Sequence, residues 1–188
     1  MKIFFKKNTN MIYHKILETT DIRLRALEPE DIDLLYTWEN NTDVWIISST
    51  IAPFSRNILH KYIENSHLDI YTVKQLRLMI DCLHTHTTIG AIDLYDFDPH
   101  NKRAGVGIYI SPEYAHKGYG EKSLKCLLNY CKDVLFLHQV YSEITEINKP
   151  SLALFTKVGF KENGTKKEWI QTPDGYIDEY ILQYIFEE

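Results

Sequence analysis

The sequence predicts an α/β layer fold: a mixed, mostly antiparallel sheet of about seven strands, with helices on both faces, in a single domain spanning 1–188. Three observations carry this. Short alternating or β-branched runs recur between turn signals. Stretches with helical periodicity are interposed among them. One strand, Arg103 to Ile110, leads through a glycine-containing turn directly into a helical pattern.

In chain order, the run I-R-L-R-A from Ile22 to Ala26 alternates, placing Arg23 and Arg25 opposite Ile22 and Leu24 in a first strand. Glu28-Pro-Glu-Asp opens a helix, because proline suits a first turn and the two acids favour the positive end of the helix dipole. Ile32, Leu35 and either Trp38 or Tyr36 form its core face, and it runs out at Glu39-Asn-Asn-Thr-Asp43. Ser55 is the N-cap of a second helix to about Asn65, with Ile58, Leu59, Tyr62 and Ile63 on one side. Two strands follow, about Gln75 to Cys82 and Thr88 to Phe97, joined by the turn His84-Thr-His-Thr. Asp98-Pro-His-Asn then turns the chain into the fourth strand.

Leu124, Leu127, Leu128 and Cys131 mark the apolar stripe of a helix ending near Leu135. A strand from about Gln139 to Ile147 leads to a short helix carrying Leu152, Leu154 and Phe155, capped at Gly159. Two closing strands, about Lys166 to Gln171 and Tyr176 to Phe186, are joined at Pro173-Asp-Gly175.

A chain of 188 residues buries about 70% of its unfolded surface as one domain and needs no disulfide or metal staple. The net charge of −5, with no cluster of Lys and Arg interleaved with aromatics, argues against nucleic acid as a partner. Three unevenly spaced cysteines form no disulfide framework or zinc site, which implies a reducing, cytoplasmic setting. His84 and His86 lie in a polar turn with no third ligand, so no metal is expected there. The stretch Met1-Lys-Ile-Phe-Phe-Lys-Lys is too short in apolar residues for a signal peptide or membrane span; 1–10 reads as a flexible extension, with Met11 an alternative start.

The turn after the fourth strand carries Gly118 and Gly120 at a helix start, where four N–H groups lack helical partners and the macrodipole is positive. Such a turn can cradle a phosphate. The nucleotide fingerprints G-x-G-x-x-G and G-x-x-x-x-G-K-[ST] are both absent. Instead, Ala115-His116-Lys117-Gly118-Tyr119-Gly120 resembles the acyl-CoA signature [R/Q]-x-x-G-x-[G/A] of the GNAT superfamily of N-acetyltransferases, with Ala115 in the place of the usual Arg or Gln. The run from Asn148 to Phe160, N-K-P-S-L-A-L-F-T-K-V-G-F, is similar to the same superfamily's downstream motif. The resemblance extends from about Ile22 to about Tyr184, and its start is similar to the ribosomal-protein and diamine branches.

The resemblance implies an enzyme using acetyl-CoA as co-substrate, with no metal. It also implies that the fourth and fifth strands splay apart to admit the pantetheine arm. Main-chain groups of Ile108, Tyr109 and Ile110 would pair with pantetheine, and the amides of His116, Lys117, Gly118, Tyr119, Gly120 and Glu121 would take the pyrophosphate. Asn148, Ser151 and Phe155 would flank the arm.

Asp93 is the preferred base for deprotonating the amine, although it could instead pair with Arg103 across the sheet. The glutamate familiar in the fourth strand is replaced by Gly105. A tyrosine that protonates the departing thiolate in many relatives is here Phe155, leaving water, Tyr109, Tyr141 or an unassisted exit. Trp38, Glu39, Trp45 and Asp96 would contact an acceptor cation, by π-face and carboxylate contacts. The acceptor is a small amine, a diamine or a peptide N-terminus; a homodimer is implied. The missing consensus residues also admit a CoA-binding or protein-binding module without turnover.

Overall fold

The computed structural model describes residues 16–187. The readings made for 1–10 and Met11 lie outside them. Seven strands form one mixed sheet: β1 (Ile22–Ala26), β2 (Leu76–Cys82), β3 (Thr87–Asp98), β4 (Arg103–Ile110), β5 (Gln139–Thr145), β6 (Lys161–Thr172) and β7 (Gly175–Ile185). Their spatial order is β1-β2-β3-β4-β5-β7-β6, antiparallel at every junction except β4–β5.

Six helices accompany the sheet among the described residues: α1 (Ile32–Glu39), α2 (Trp45–Ser48), α3 (Arg56–Glu64), α4 (Ile70–Val73), α5 (Tyr119–Asp133) and α6 (Lys149–Val158). Alternation along the strands supplies a core on each face. Leu78, Ile80, Ile92 and Leu94 pack with Leu124 and Leu127 of α5 and Phe155 of α6, while Met79 and Ala91 point the other way onto Leu35 of α1 and Leu59 and Ile63 of α3. Each fully buried side chain of this kind contributes roughly 1.5–3 kcal/mol.

The sequence had placed the main elements within a few residues. Ser55 caps α3 by accepting the Ile58 N–H at 3.2 Å, but Ile58 itself is 52% exposed and only Leu59 and Ile63 of that helix are buried. Tyr36 likewise faces outward beneath the Arg56 guanidinium, leaving Trp38 as the inward aromatic of α1. The short helices α2 and α4 and the first residues of β6 had no sequence signal. A turn of helix without an apolar stripe takes its shape from what it is packed against.

Arg25 fastens the entry to α1: it donates two hydrogen bonds to Asp31, at 2.7 and 2.8 Å, one to Asp81 at 2.9 Å and one to Thr88 at 2.9 Å. Asp31 in turn accepts the Glu28 N–H, so the first helix is oriented over β1 to β3. That orientation brings the end of α1 over the middle of the sheet.

Candidate active site

Strands β4 and β5 part company. Their register holds for three pairs only, Arg103 with Gln139, Ala104 with Val140 and Gly105 with Tyr141. On its other side β4 stays paired with β3 as far as Ile110, so from Val106 to Ile110 one edge of the strand has no strand partner. A cavity of about 560 Å³ fills the opening. Its walls include Val106, Ile108 and Ile144 from one sheet face and Asp93, Tyr109 and Thr145 from the other, so it passes through the sheet.

At the far end of β4 the chain turns into α5. Gly118, the residue before the helix, has φ +82°, a left-handed conformation that L side chains resist by roughly 1–2 kcal/mol. The first described helical acceptance is the Gly118 carbonyl taking the Lys122 N–H at 3.2 Å, which leaves the amides ahead of Lys122 without helical partners. Lysine is not aimed into this turn: Lys122 pairs with Asp21 at 2.7 Å and Lys117 lies over the Tyr114 ring. Lys125 and Lys157 both pair with the Glu121 carboxylate and hold it down at a pKa of about 2. Gly120 has a different task, since a Cβ there would stand 3.1 Å from Leu154; it lets α5 lie close against α6.

On the α1 side of the sheet, Trp38 and Glu39 line the cavity, with the Trp38 ring 5.3 Å from that of Tyr109. Asp93 lines it too, but its partner is not Arg103. Arg103 instead meets Asp98 at 3.4 Å, and Asp93 receives both its bonds from Arg77, Nε at 2.7 Å and Nη2 at 2.9 Å. Arg77 also donates to Glu39 and is only 18% exposed. Burial pulls its pKa down, yet Asp93, Tyr62 and Glu39 together raise it well above the ordinary value, so it stays a cation. Both oxygens of Asp93 are already taken up by a fixed guanidinium, so neither stands free to meet an amine, which counts against Asp93 as the base.

Trp45 and Asp96 are not brought to the cavity. Trp45 donates its indole N–H to the Glu39 carbonyl at 3.0 Å, tying α2 to the end of α1. Asp96 sits at a bulge between Tyr95 and Asp98, with φ +48°, and accepts from the Tyr141 hydroxyl. The irregularity leaves Asp96 outside the β3–β4 pairing. Tyr141 itself is not among the residues that line the cavity.

Phe155 lines the cavity but is 1% exposed and packs edge-on against Phe160, with ring centroids 4.8 Å apart. Asn148 caps α6 by accepting the Ser151 N–H at 3.2 Å, and both residues reach the cavity wall. The wall residues that the sequence does not single out include Arg77, Tyr95, Glu143 and Thr145. The Tyr95 ring lies across Gly105, where a Cβ would come within 2.2 Å of it; a glycine inside a strand was the available signal for that close approach. Burial raises the Tyr95 phenol well above its ordinary pKa, against the effect of the facing Glu143 N–H, and keeps it neutral. The Thr145 hydroxyl is buried without a hydrogen-bond partner among the described residues. No group of three or more His, Cys, Asp or Glu able to hold a metal occurs among the described residues, and none of the described helices is long and apolar enough to cross a membrane.

The family model described as "Acetyltransferase (GNAT) domain" matches residues 21–161. The chain is 26% identical over 146 residues to the spermidine N(1)-acetyltransferase of Escherichia coli (strain K12), covering 76% of this chain and 74% of that protein. The fold is similar to that of a spermidine N-acetyltransferase from Vibrio cholerae in complex with CoA and spermine, with a TM-score of 0.80 and 22% identity over 89% of this chain and 96% of the other. A dodecameric structure of spermidine N-acetyltransferase from the same organism superposes with a TM-score of 0.74 and 24% identity, covering 89% of this chain and 95% of that one.

Proposed function

Because the chain belongs to the GNAT acetyltransferase family, we propose that it moves an acetyl group from acetyl-CoA to a primary amine by direct attack in a ternary complex. The observation that carries this reading is the opening between β4 and β5, a free strand edge leading from a helix N-terminus to a cavity that emerges on the opposite face.

In this reading the main-chain groups of Ile108, Tyr109 and Ile110 pair with the pantetheine arm as an added strand would. The amides from His116 to Glu121 take the pyrophosphate. Hydrogen bonds to charged groups are worth about 1.5–3 kcal/mol each, so several replace the side chain that Ala115 lacks. Asn148, Ser151 and Phe155 flank the arm. Holding thioester and amine together supplies much of the rate, and no covalent enzyme intermediate is required.

The acceptor enters from the α1 side, where Trp38 and Glu39 face it. Ser48, Ser49 and Thr50 bring hydroxyls to this wall, and Arg77 already balances one of the two charges on Asp93 and Glu39. That wall favours a small amine or a peptide N-terminus over a long polycation. A primary amine with a pKa of about 10.4 withholds roughly 4–5 kcal/mol of nucleophile at pH 7, so a base must take its proton. Phe155 has no proton to give the departing thiolate; the Tyr109 hydroxyl, in the same cavity, or water takes that part. The three buried free cysteines support a cytoplasmic setting, and self-association, as a homodimer or larger, is the assembly proposed, to be read by light scattering.

Calorimetric titration with CoA tests the first half: saturable heat is expected, and its absence from the folded protein overturns the reading. Thiol release from acetyl-CoA over a panel of polyamines, amino acids, aminoglycosides and peptides tests the second. The competing reading, a CoA-binding module without turnover, is favoured by Phe155 and by the occupied oxygens of Asp93. Binding with no release on any amine would support it.

A further inference from the structure

Strand β4 brings no carboxylate to the acceptor side of the opening, where its residues are Gly105, Gly107 and Tyr109. On the proposed reading, pantetheine runs down β4 from Ile110 past Ile108, so the thioester arrives beside Gly107. Asp93 has both oxygens bonded to Arg77, and Glu39 lies with it on the β2–β3 side of the cavity. We propose that Glu143, on the opposite rim, is the catalytic base that takes the proton from the acceptor amine.

The register supports it. Gly105 is the last β4 residue paired with β5, opposite Tyr141, and two residues further along each strand stand Gly107 and Glu143, flanking the opening. Alternation puts Glu143 on the same sheet face as Gly105 and Tyr109, the face that meets α1. Gln139 donates its N–H to Lys102 on the β4 side, so the Glu143 N–H two steps of alternation later points into the opening, toward the Tyr95 phenol. The Glu143 side chain is 36% exposed, lines the cavity and uses one oxygen, Oε1, to meet Lys166 at 2.7 Å. Oε2 has no hydrogen-bond partner among the described residues. Facing the carboxylate are Lys166 from β6, Glu179 from β7, Tyr95 from β3 and Tyr141 on its own strand.

The step balances. One ammonium proton passes to Oε2, directly or through a water, and the freed lone pair bonds the thioester carbonyl carbon. The C–S bond breaks with its electron pair on sulfur, a second proton from nitrogen goes to the thiolate, and Glu143 returns its proton to solvent. The products are the N-acetyl amine and CoA thiol.

The experiment is thiol release by Glu143→Gln with primary alkylamines graded in pKa from about 10 toward 7. With the most basic amine kcat is expected to fall about 10²–10⁴-fold while the calorimetric Kd for CoA is unchanged. The deficit shrinks toward onefold as the amine becomes neutral without help, and Glu143→Asp recovers part of the rate. A purely structural ion pair with Lys166 would lower every amine equally. If Glu143→Gln does not fold, the double variant Glu143→Gln/Lys166→Met, which removes both charges, carries the same expectation. Wild-type kcat in the variant, or a loss that ignores amine pKa, overturns the proposal. Failure of the wild type to bind CoA instead overturns the reading beneath it.

Discussion

Two clusters of the same composition, one cation between two carboxylates, stand on either side of the split. Arg77 with Asp93 and Glu39 occupies the β2–β3 side, and Lys166 with Glu143 and Glu179 the β5–β7 side. The guanidinium fork matches both oxygens of Asp93 and immobilises them, whereas the ammonium of Lys166 makes single contacts at 2.7 and 3.0 Å and leaves the second oxygen of each carboxylate open. Equal charge therefore produces a rigid wall on one side and an available proton acceptor on the other. The Tyr95 ring, lying over Gly105 and reaching the Glu143 amide, stands between them.

The largest expected effect breaks the tighter cluster. Arg77→Met leaves two partly buried carboxylates without their counter-charge and is expected to cost about 3–5 kcal/mol in urea unfolding. The triple variant Arg77→Met/Asp93→Asn/Glu39→Gln should recover most of it. A cost below about 1 kcal/mol would mean that this cluster is no firmer than the other. The divider comes next. Gly105→Ala drives a methyl into the Tyr95 ring and is expected to cost about 1–3 kcal/mol, with thermal melting restored when Tyr95→Val is added.

The smallest effect belongs to Lys166. At neutral pH, Lys166→Met is expected to cost no more than about 1 kcal/mol in the same urea assay. Burial lowers the Lys166 pKa, but hydrogen bonds and charge from Glu143 and Glu179 outweigh this and raise it. A raised folded-state pKa gives stability that is complete below the unfolded value of about 10.4 and is lost as pH climbs through the folded one. The wild-type minus Lys166→Met difference in urea midpoint should thus shrink above about pH 10.5, while Arg77 stays charged throughout. A difference that does not change with pH would show that Lys166 stabilises by packing over the Trp169 ring instead.

The two walls also differ in how much of them could be read in advance. The proposed cradle at His116 to Glu121 and the free edge at Ile108 to Ile110 would work through backbone, and backbone roles are tied to local signals: a strand, a glycine with positive φ and a helix start. Asp93, Trp38 and Glu39 reach the cavity from the elements the sequence assigns them, although the alternative pairing of Asp93 with Arg103 does not form. The partner of Asp93, Arg77, lies 16 positions away on a neighbouring strand. Trp45 and Asp96 lie off the cavity, Trp45 held by a tertiary hydrogen bond to the Glu39 carbonyl and Asp96 at a strand irregularity against Tyr141, and neither feature leaves a mark in composition or period.

What the chain's residue order determined by itself was the succession of strands and helices, the strand–glycine–helix passage and the motif spacing that identifies the family. These depend on neighbours a few positions apart, whose periodicity and capping are written locally. Tertiary structure alone decided which carboxylate is clamped and which is open. The pairing of Arg77 with Asp93, the position of Glu143 across the opening from Gly107, and the burial that leaves Tyr95 neutral all arise from strands brought side by side, and the register between them sets the charge each side chain meets.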